Sequence, residues 1–140
     1  MNDSDFTDAR LTQNLTLLGR KVTAQDARLE VFPAPKSGQL REVTLSTDEI
    51  YAHCPVTGQP DFYACHLTYW PEAWCVESKS VKLYFQALRD AGIFCEHLCD
   101  KIASDFFEAL QPIRIRVELI QRPRGGISIR SVSEIGQGDA

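Results

Sequence analysis

The hydrophobic period of this 140-residue chain changes twice, and these changes constrain its fold more than any other feature. Two segments with the alternation of β-strands, LREVTLSTDEI and DFYACHLTYWP, come before Ser78. Between Ser78 and Leu110 the apolar residues recur at helical spacing. Alternation returns in IRIRVELIQ, and ISIRSV follows after the turn PRGG. The order strand-strand-helix-helix-strand-strand predicts an α+β fold, with one antiparallel four-stranded sheet and two helices on one face.

The sequence pattern divides the chain into two parts. Residues 1–37, which include the Pro-rich VFPAPKSG, are predicted to form an irregular lead-in, and residues 38–140 a single domain. The first helix is expected to end at Gly92 in a left-handed cap. The second helix and the strand after it each carry an apolar stripe: Phe94, Leu98, Ile102, Phe106 and Leu110, then Ile113, Ile115, Val117 and Leu119.

The segment DFYACHLTYWP has two faces that are both largely apolar. One face carries Phe62, Ala64, His66 and Thr68, and the other carries Tyr63, Cys65, Leu67 and Tyr69. Helices of the same subunit can cover only one face of the sheet. Because an uncovered apolar face usually marks an interface, the chain is expected to form a homo-oligomer.

Composition and charge argue against several classes of protein. No apolar run approaches the roughly 20 residues of a membrane-spanning helix. The N-terminus, MNDSDFTDAR, is acidic and polar, unlike a signal peptide, so a cytoplasmic location is expected. Fifteen Lys and Arg against nineteen Asp and Glu give a net charge of −4, which argues against direct binding of a nucleic acid.

The chain has five cysteines, an odd number, and in a reducing cytoplasm they are expected to be free thiols. A wider group of side chains can in principle supply three ligands to zinc: His53, Cys54, His66, Cys95, His97 and Cys99. Their spacing lacks the paired C-x-x-C of a structural zinc site, so no metal site is predicted.

Cys54 lies in HCPVTGQPDF, a loop bounded by Pro and Gly between the first two strands. A thiol there is held by a stiff backbone and can act as a nucleophile if a base or a positive charge is close. Asp61 starts the next strand, where the loop can fold it back beside the sulfur. A carboxyl desolvated by apolar neighbours such as Phe62 can serve as a proton donor. The spacing equally allows Cys54 to be a packing residue and Asp61 a turn cap.

Further charged side chains accompany this loop. VESKSVKLY, residues 76–84, crosses a strand-to-helix junction, where free backbone N–H groups and the helix dipole favour anions. Lys79 and Lys82 can hold phosphates there, or they can belong to a solvated helix face. Glu96 can accept two hydrogen bonds from a guanine-like ring edge, or simply complement the helix dipole. Arg124 in PRGG adds another positive charge.

Taken together and in this order, CPVTGQPDF, VESKSVKLY, FCEH and PRGGISI resemble the 7-cyano-7-deazaguanine reductases of the short, single-domain type. The resemblance runs from about residue 36 to residue 132. Four motifs in register are far more specific than any one alone. The resemblance implies the tunnelling fold shared with GTP cyclohydrolase I, in which five subunits close a barrel and two barrels stack. Active sites would then lie between subunits.

The same resemblance implies roles for individual residues. Cys54 would attack the nitrile and form a thioimide, and Asp61 would be the general acid. The deazaguanine pocket would be lined by Val76, Glu77, Ser78, Cys95 and Glu96. NADPH would be the cofactor and would meet Ser78, Lys79, Lys82, Arg124 and Gly125. The implied reaction is a four-electron reduction of the nitrile to an aminomethyl group in queuosine biosynthesis.

One position departs from the family pattern. Many relatives have His just before the pocket Glu, whereas this chain has Cys95, with His97 after Glu96. Positions 95 and 97 of a helix point about 200° apart, so His97 cannot replace that side chain. Three alternatives remain open: a zinc-dependent hydrolase similar to GTP cyclohydrolase, a thioimide-forming amidinotransferase acting on tRNA, and a non-catalytic oligomeric binding module.

Overall fold

The computed structural model describes residues 28–136, which form six strands and two helices. In chain order they are β1 (Val31–Pro33), β2 (Val43–His53), β3 (Pro60–Trp70), β4 (Trp74–Val76), α1 (Ser78–Ala87), α2 (Cys95–Leu110), β5 (Arg114–Arg124) and β6 (Ile127–Gly136). A 3₁₀ turn, Leu88–Asp90, continues α1. Neither helix within this part of the chain has the length and apolar character that a membrane crossing requires.

The main sheet has four antiparallel strands in the order β2-β3-β5-β6. The β2–β3 pair extends from Val43 opposite Tyr69 to His53 opposite Pro60, with one irregularity between Thr47 and Ile50. Together with α1 and α2, these strands confirm the predicted order of elements and the predicted antiparallel sheet. The loop that contains Cys54 therefore lies at one end of this sheet, directly beyond the β2–β3 ladder.

The core lies between the inner face of the sheet and α2. Alternate residues of β3 point inward and are at most 1% exposed, as the pleat of a strand requires: Tyr63, Cys65, Leu67 and Tyr69. The apolar stripe of α2 covers them with four fully buried residues: Leu98, Ile102, Phe106 and Leu110. Phe94 and Ile113, which were also predicted on apolar stripes, are 49% and 47% exposed because each precedes the start of its element.

A second, smaller sheet pairs β1 with β4. Val31 lies opposite Val76, and Pro33 lies opposite Trp74. The prediction of an irregular lead-in is therefore wrong for residues 31–33, whose alternation was too short to recognise. Residues 1–27 lie outside the described part of the chain, and the domain boundary at residue 38 stays a prediction.

The connection between the helices also differs from the prediction. Gly92 does not form a left-handed cap; the left-handed residue at a helix end is Gln111, which caps α2 with a φ of 48°. Gly92 instead lies beside His53 in a short parallel bridge. The N–H of His53 donates to the carbonyl of Ala91 (2.8 Å), and the N–H of Ile93 donates to the carbonyl of His53 (3.0 Å). These two bonds fasten the segment before α2 to the end of β2.

The outer face of the sheet is more polar than the sequence of β3 suggested. Neighbouring strands supply partners to the polar residues of this face: Thr44 with Thr68, Ser46 with His66, Arg116 with Glu134 and Arg130 with Glu118. The prediction of a largely apolar second face is therefore wrong for the sheet as a whole. Exposed apolar side chains on this face include Phe62 and Val132.

Candidate active site

A tight loop joins β2 to β3 and holds Cys54. The Cys54 N–H donates to the carbonyl of Gln59 (2.8 Å), and the Gly58 N–H donates to the carbonyl of Cys54 (2.9 Å). Gly58 has a φ of +71°, a left-handed conformation that glycine adopts at little cost. The strands β2 and β3 are hydrogen-bonded to each other up to the ends of this loop, at His53 and Pro60. The half-buried Cys54 thiol therefore has a fixed position at the end of the sheet.

The electrostatic surroundings of Cys54 favour its thiolate. A hydrogen bond from the Thr57 hydroxyl, followed by bonds from the backbone N–H groups of Thr57 and Val56, lowers the pKa of Cys54 from 9.0 to about 7. Burial and the charge of Asp61 act in the opposite direction. The other four cysteines have raised pKa values, chiefly because of burial: Cys65, Cys75, Cys95 and Cys99. Cys54 is therefore the only one of the five cysteines whose pKa is lowered, which favours its thiolate over theirs.

Asp61 lies on the inner face of β3 and is 5% exposed. Its carboxylate forms an ion pair with Arg124 at the end of β5. A second nitrogen of the Arg124 guanidinium donates to the side-chain oxygen of Gln59 (2.7 Å). The register of β5 shifts just before Arg124, and irregularities of this kind re-aim side chains. The structure thus joins Asp61 and Arg124 to the loop that holds Cys54.

Phe62 does not cover Asp61, contrary to the sequence prediction. Consecutive residues of a strand point to opposite faces, so Phe62 lies on the outer face and is 51% exposed. Its ring contacts that of Tyr51, with centroids 5.9 Å apart. Asp61 is instead buried on the inner side, where its charge acts on Tyr63.

The junction between β4 and α1 has its own closed set of hydrogen bonds. The buried Glu77 caps α1, and its carboxylate accepts from the N–H groups of Lys79 (2.6 Å) and Ser80 (3.1 Å). Its own N–H donates to the carbonyl of Glu30 (2.9 Å). The N–H of the adjacent Val76 donates to the hydroxyl of Tyr69 (3.1 Å). The prediction of free N–H groups at this junction is therefore wrong for residues 79 and 80.

Side chains remain that can meet an anion at this junction. Ser78 and Lys82 are exposed, and Lys79 is half-buried. The two lysines lie on the first turns of α1, one turn apart. Any binding of phosphate here depends on these side-chain charges more than on the backbone.

The start of α2 separates two residues that were predicted in one pocket. Cys95 is 2% exposed, and its Sγ lies 3.7 Å from the hydroxyl oxygen of Ser131 in β6. Cys95 therefore faces the sheet, on the same side of the helix as Leu98, and its place in the substrate pocket stays a prediction. Glu96 and His97 are exposed.

None of the five cysteines forms a disulfide, as predicted for free thiols. Within residues 28–136 no three His, Cys, Asp or Glu side chains gather in an arrangement that can hold a metal ion.

Two residues of the loop have roles that the sequence interpretation did not assign. Thr57 lowers the pKa of Cys54, and its hydroxyl also accepts from the Gln59 N–H (3.2 Å). Gln59 in turn contacts Arg124. Both are hydrogen-bonding side chains in the short loop between Cys54 and Asp61. This position in the sequence was the feature that could have identified them.

The fold and the site define a class: an α+β domain with one thiol of lowered pKa in its β2–β3 loop and, beside it, a buried Asp paired with a partly exposed Arg. The chain belongs to the QueF-like protein family, which it matches over residues 60–139.

Curated relatives cover most of the chain. A protein from Syntrophus aciditrophicus (strain SB), named NADPH-dependent 7-cyano-7-deazaguanine reductase, is 43% identical over 120 residues, which are 86% of this chain and 85% of that protein. A protein of the same name from Frankia casuarinae (strain DSM 45818 / CECT 9043 / HFP020203 / CcI3) is 38% identical over 119 residues, 85% of this chain and 94% of that one.

A solved structure supports the fold. The crystal structure of the archaeosine synthase QueF-Like in the apo form matches with a TM-score of 0.66 and 20% sequence identity. The match covers 71% of this chain and 97% of that one. At this level of identity the likeness concerns the arrangement of the backbone.

The lowered pKa of Cys54 can be tested by replacing Thr57. In the wild type, the rate of alkylation of Cys54 by iodoacetamide should rise with pH around a midpoint of about 7. Thr57→Val removes the hydroxyl bond to the thiolate and should raise this midpoint by about one pH unit, the equivalent of one hydrogen bond. Thr57→Ser keeps the hydroxyl and is the matched control. Equal midpoints in all three proteins, measured by mass spectrometry of the Cys54 peptide, would contradict the assignment.

Proposed function

We propose that this chain is a cytoplasmic NADPH-dependent reductase that converts the nitrile of 7-cyano-7-deazaguanine to an aminomethyl group in queuosine biosynthesis. The observation that carries the proposal is the Cys54 thiol, whose pKa of about 7 leaves about half of it ionised at neutral pH. A thiolate of this kind attacks electrophilic carbon. The electrophile is inferred from the relatives from Syntrophus and Frankia, since both are named as reductases of this nitrile.

The first chemical step uses Cys54 and Asp61. The Cys54 thiolate forms a bond to the nitrile carbon, and one of the carbon–nitrogen π bonds breaks. Asp61 delivers a proton to the nitrogen and becomes a carboxylate, so the product is a neutral thioimide attached to Cys54. Asp61 is buried beside the Cys54 loop, and it would take up the proton for this step when its ion pair with Arg124 opens.

NADPH, when bound, supplies the two hydrides that a four-electron reduction requires. After the first reduction of the carbon, the C–S bond breaks and Cys54 leaves as a thiolate. The imine that remains takes up a second hydride and a proton to give the amine. Cys54 and the loop around it must keep water from the imine during this interval, because hydrolysis would release an aldehyde.

The cationic side chains of the chain fit an anionic cofactor. Lys79, Lys82 and the exposed Ser78 on α1 would contact its phosphates, together with Arg124 at the end of β5 and Gly125 directly after it. Two backbone N–H groups of the α1 junction are already occupied by Glu77, so the contribution of the lysine charges is correspondingly larger.

The substrate ring would be bound by residues from two elements. Glu96, exposed at the start of α2, would accept two hydrogen bonds from the guanine-like edge. Val76, Glu77 and Ser78 would line the pocket from the α1 junction, where the Glu77 carboxylate also caps the helix. Cys95, predicted in the same pocket, is buried beside Ser131 of β6.

Exposed apolar side chains support a site that is completed by another subunit. They occur in the Cys54 loop, at the start of β3, just before α2 and at the start of β6: Val56, Phe62, Phe94 and Ile127. All four are close in sequence to proposed site residues, so a neighbouring subunit that completed the site would also cover them. We therefore propose the tunnelling fold with a barrel of five subunits, or two stacked barrels, and active sites between neighbours.

The reductase function is tested by mixing the reduced protein with 7-cyano-7-deazaguanine and NADPH and following the nicotinamide absorbance. Two NADPH should be consumed for each aminomethyl product. Cys54→Ala should abolish consumption because it removes the nucleophile. Cys75→Ala, which removes a buried thiol in β4, should retain it. Failure of the wild type to consume NADPH, with Cys54 shown to be reduced, would overturn the function.

The cofactor site is tested by removing one positive charge at a time from α1. Lys79→Ala and Lys82→Ala should each raise the KM for NADPH by about tenfold, the loss of one charge-assisted hydrogen bond. The effect should shrink at high salt because exposed charges are screened. Lys101→Ala, on the exposed side of α2, is the matched control. An unchanged KM for NADPH in both α1 variants would show that the cofactor phosphates do not bind at these lysines.

A further inference from the structure

The hydroxyl of Tyr63 is buried without a hydrogen-bond partner. Tyr63 is 0% exposed, and its Oη is the one buried side-chain nitrogen or oxygen within residues 28–136 that has no partner. Phenylalanine would fill the same space without an unpaired polar atom, and unpaired buried polar atoms are destabilising. The hydroxyl makes no hydrogen bond in this structure. This points to a hydrogen bond that forms in another state of the site.

The position of Tyr63 links the two elements that carry the proposed chemistry. Tyr63 follows Asp61 by two residues on the same strand, so both side chains point to the inner face. Across the sheet it lies opposite Gln121 of β5, a strand that packs against α2. Tyr63 therefore lies on the face of the sheet that α2 covers, two residues from Asp61.

Several charged groups face the Tyr63 hydroxyl. Burial raises the pKa of Tyr63, and the charges of Asp61, Cys95 and Glu96 raise it further, whereas that of Arg124 lowers it. At neutral pH the phenol is therefore protonated, and it can donate a hydrogen bond to a carboxylate.

Arg124 is the present partner of Asp61, but it is also a proposed ligand of the cofactor. The Arg124 side chain is 37% exposed, whereas that of Asp61 is 6% exposed. A cofactor phosphate on the solvent side can attract the Arg124 guanidinium, whereas the buried Asp61 carboxyl cannot move with it. Asp61 would then need another donor when it loses its proton, because an unpaired carboxylate is costly in a buried site.

We propose that Tyr63 is a positioning residue for Asp61, whose hydroxyl donates to the carboxylate that forms as Asp61 gives its proton to the nitrile nitrogen. Tyr63 keeps its own proton throughout, so the step adds no reactant. This inference rests on the proposed function. It also explains why a hydroxyl is retained where phenylalanine would pack as well.

The test is Tyr63→Phe, which removes a single oxygen atom, with Tyr84→Phe as the control. The Tyr84 hydroxyl has a partner, since it donates to Asp105 (2.6 Å). Without ligand, Tyr63→Phe should unfold at the same temperature as the wild type or higher, and Tyr84→Phe at a lower temperature. With nitrile and NADPH, Tyr63→Phe should lower kcat by about tenfold or more, with less than about a threefold change in the KM for the nitrile. Tyr84→Phe should leave kcat unchanged.

The split between kcat and KM is a signature that loss of packing would not produce, because a contact to Asp61 acts on the chemical step and leaves binding of the nitrile unchanged. A wild-type kcat in this variant, a KM for the nitrile that rises as much as kcat falls, or a lower unfolding temperature without ligand would each overturn the inference. An inactive wild type would instead count against the reductase function itself.

Discussion

The pleat of β3 is the constraint on which the rest of the structure depends. This strand is paired on both sides, so its alternation assigns each residue to one face of the sheet without freedom to slip. Asp61 and Tyr63 are thereby buried toward α2 together with the apolar core, while Phe62 between them is turned outward. A shift of one residue would expose Asp61 and bury the Phe62 ring, so the packing of the core and the placement of the proposed proton donor have the same physical cause.

The charges of the site are balanced locally, within a few residues of the sheet end. Hydrogen bonds from Thr57 and the adjacent backbone stabilise the Cys54 thiolate, whereas the charge of Asp61 opposes it. Arg124 offsets that carboxylate and also contacts Gln59 in the same loop. In the proposed reaction, a cofactor that recruits Arg124 would therefore change the electrostatic surroundings of Asp61.

The sequence predicted the order of the main elements because each segment is long and its hydrophobic period is unambiguous. It also raised Cys54 and Asp61 as a possible nucleophile and acid, but the loop spacing alone left packing and turn-capping roles open, and the family resemblance supplied the assignment. It missed β1, whose three residues are too few for a pattern, and it could not foresee that Gly92 pairs with His53 across the fold. The ion pair between Asp61 and Arg124 spans 63 residues and depends on a β5 irregularity that no local pattern reveals. The inward direction of Cys95 follows from the packing of α2 on β6, which is also a tertiary effect.

The central claim is that Cys54 forms a covalent bond to the nitrile carbon, and intact-protein mass spectrometry tests it most directly. The reduced protein is incubated with 7-cyano-7-deazaguanine without NADPH. The peptide that contains Cys54 should gain the full mass of the nitrile, because the addition has no leaving group. This adduct should be lost once NADPH is added. No adduct on a reduced Cys54, or an adduct that persists in Cys54→Ala, would contradict the account.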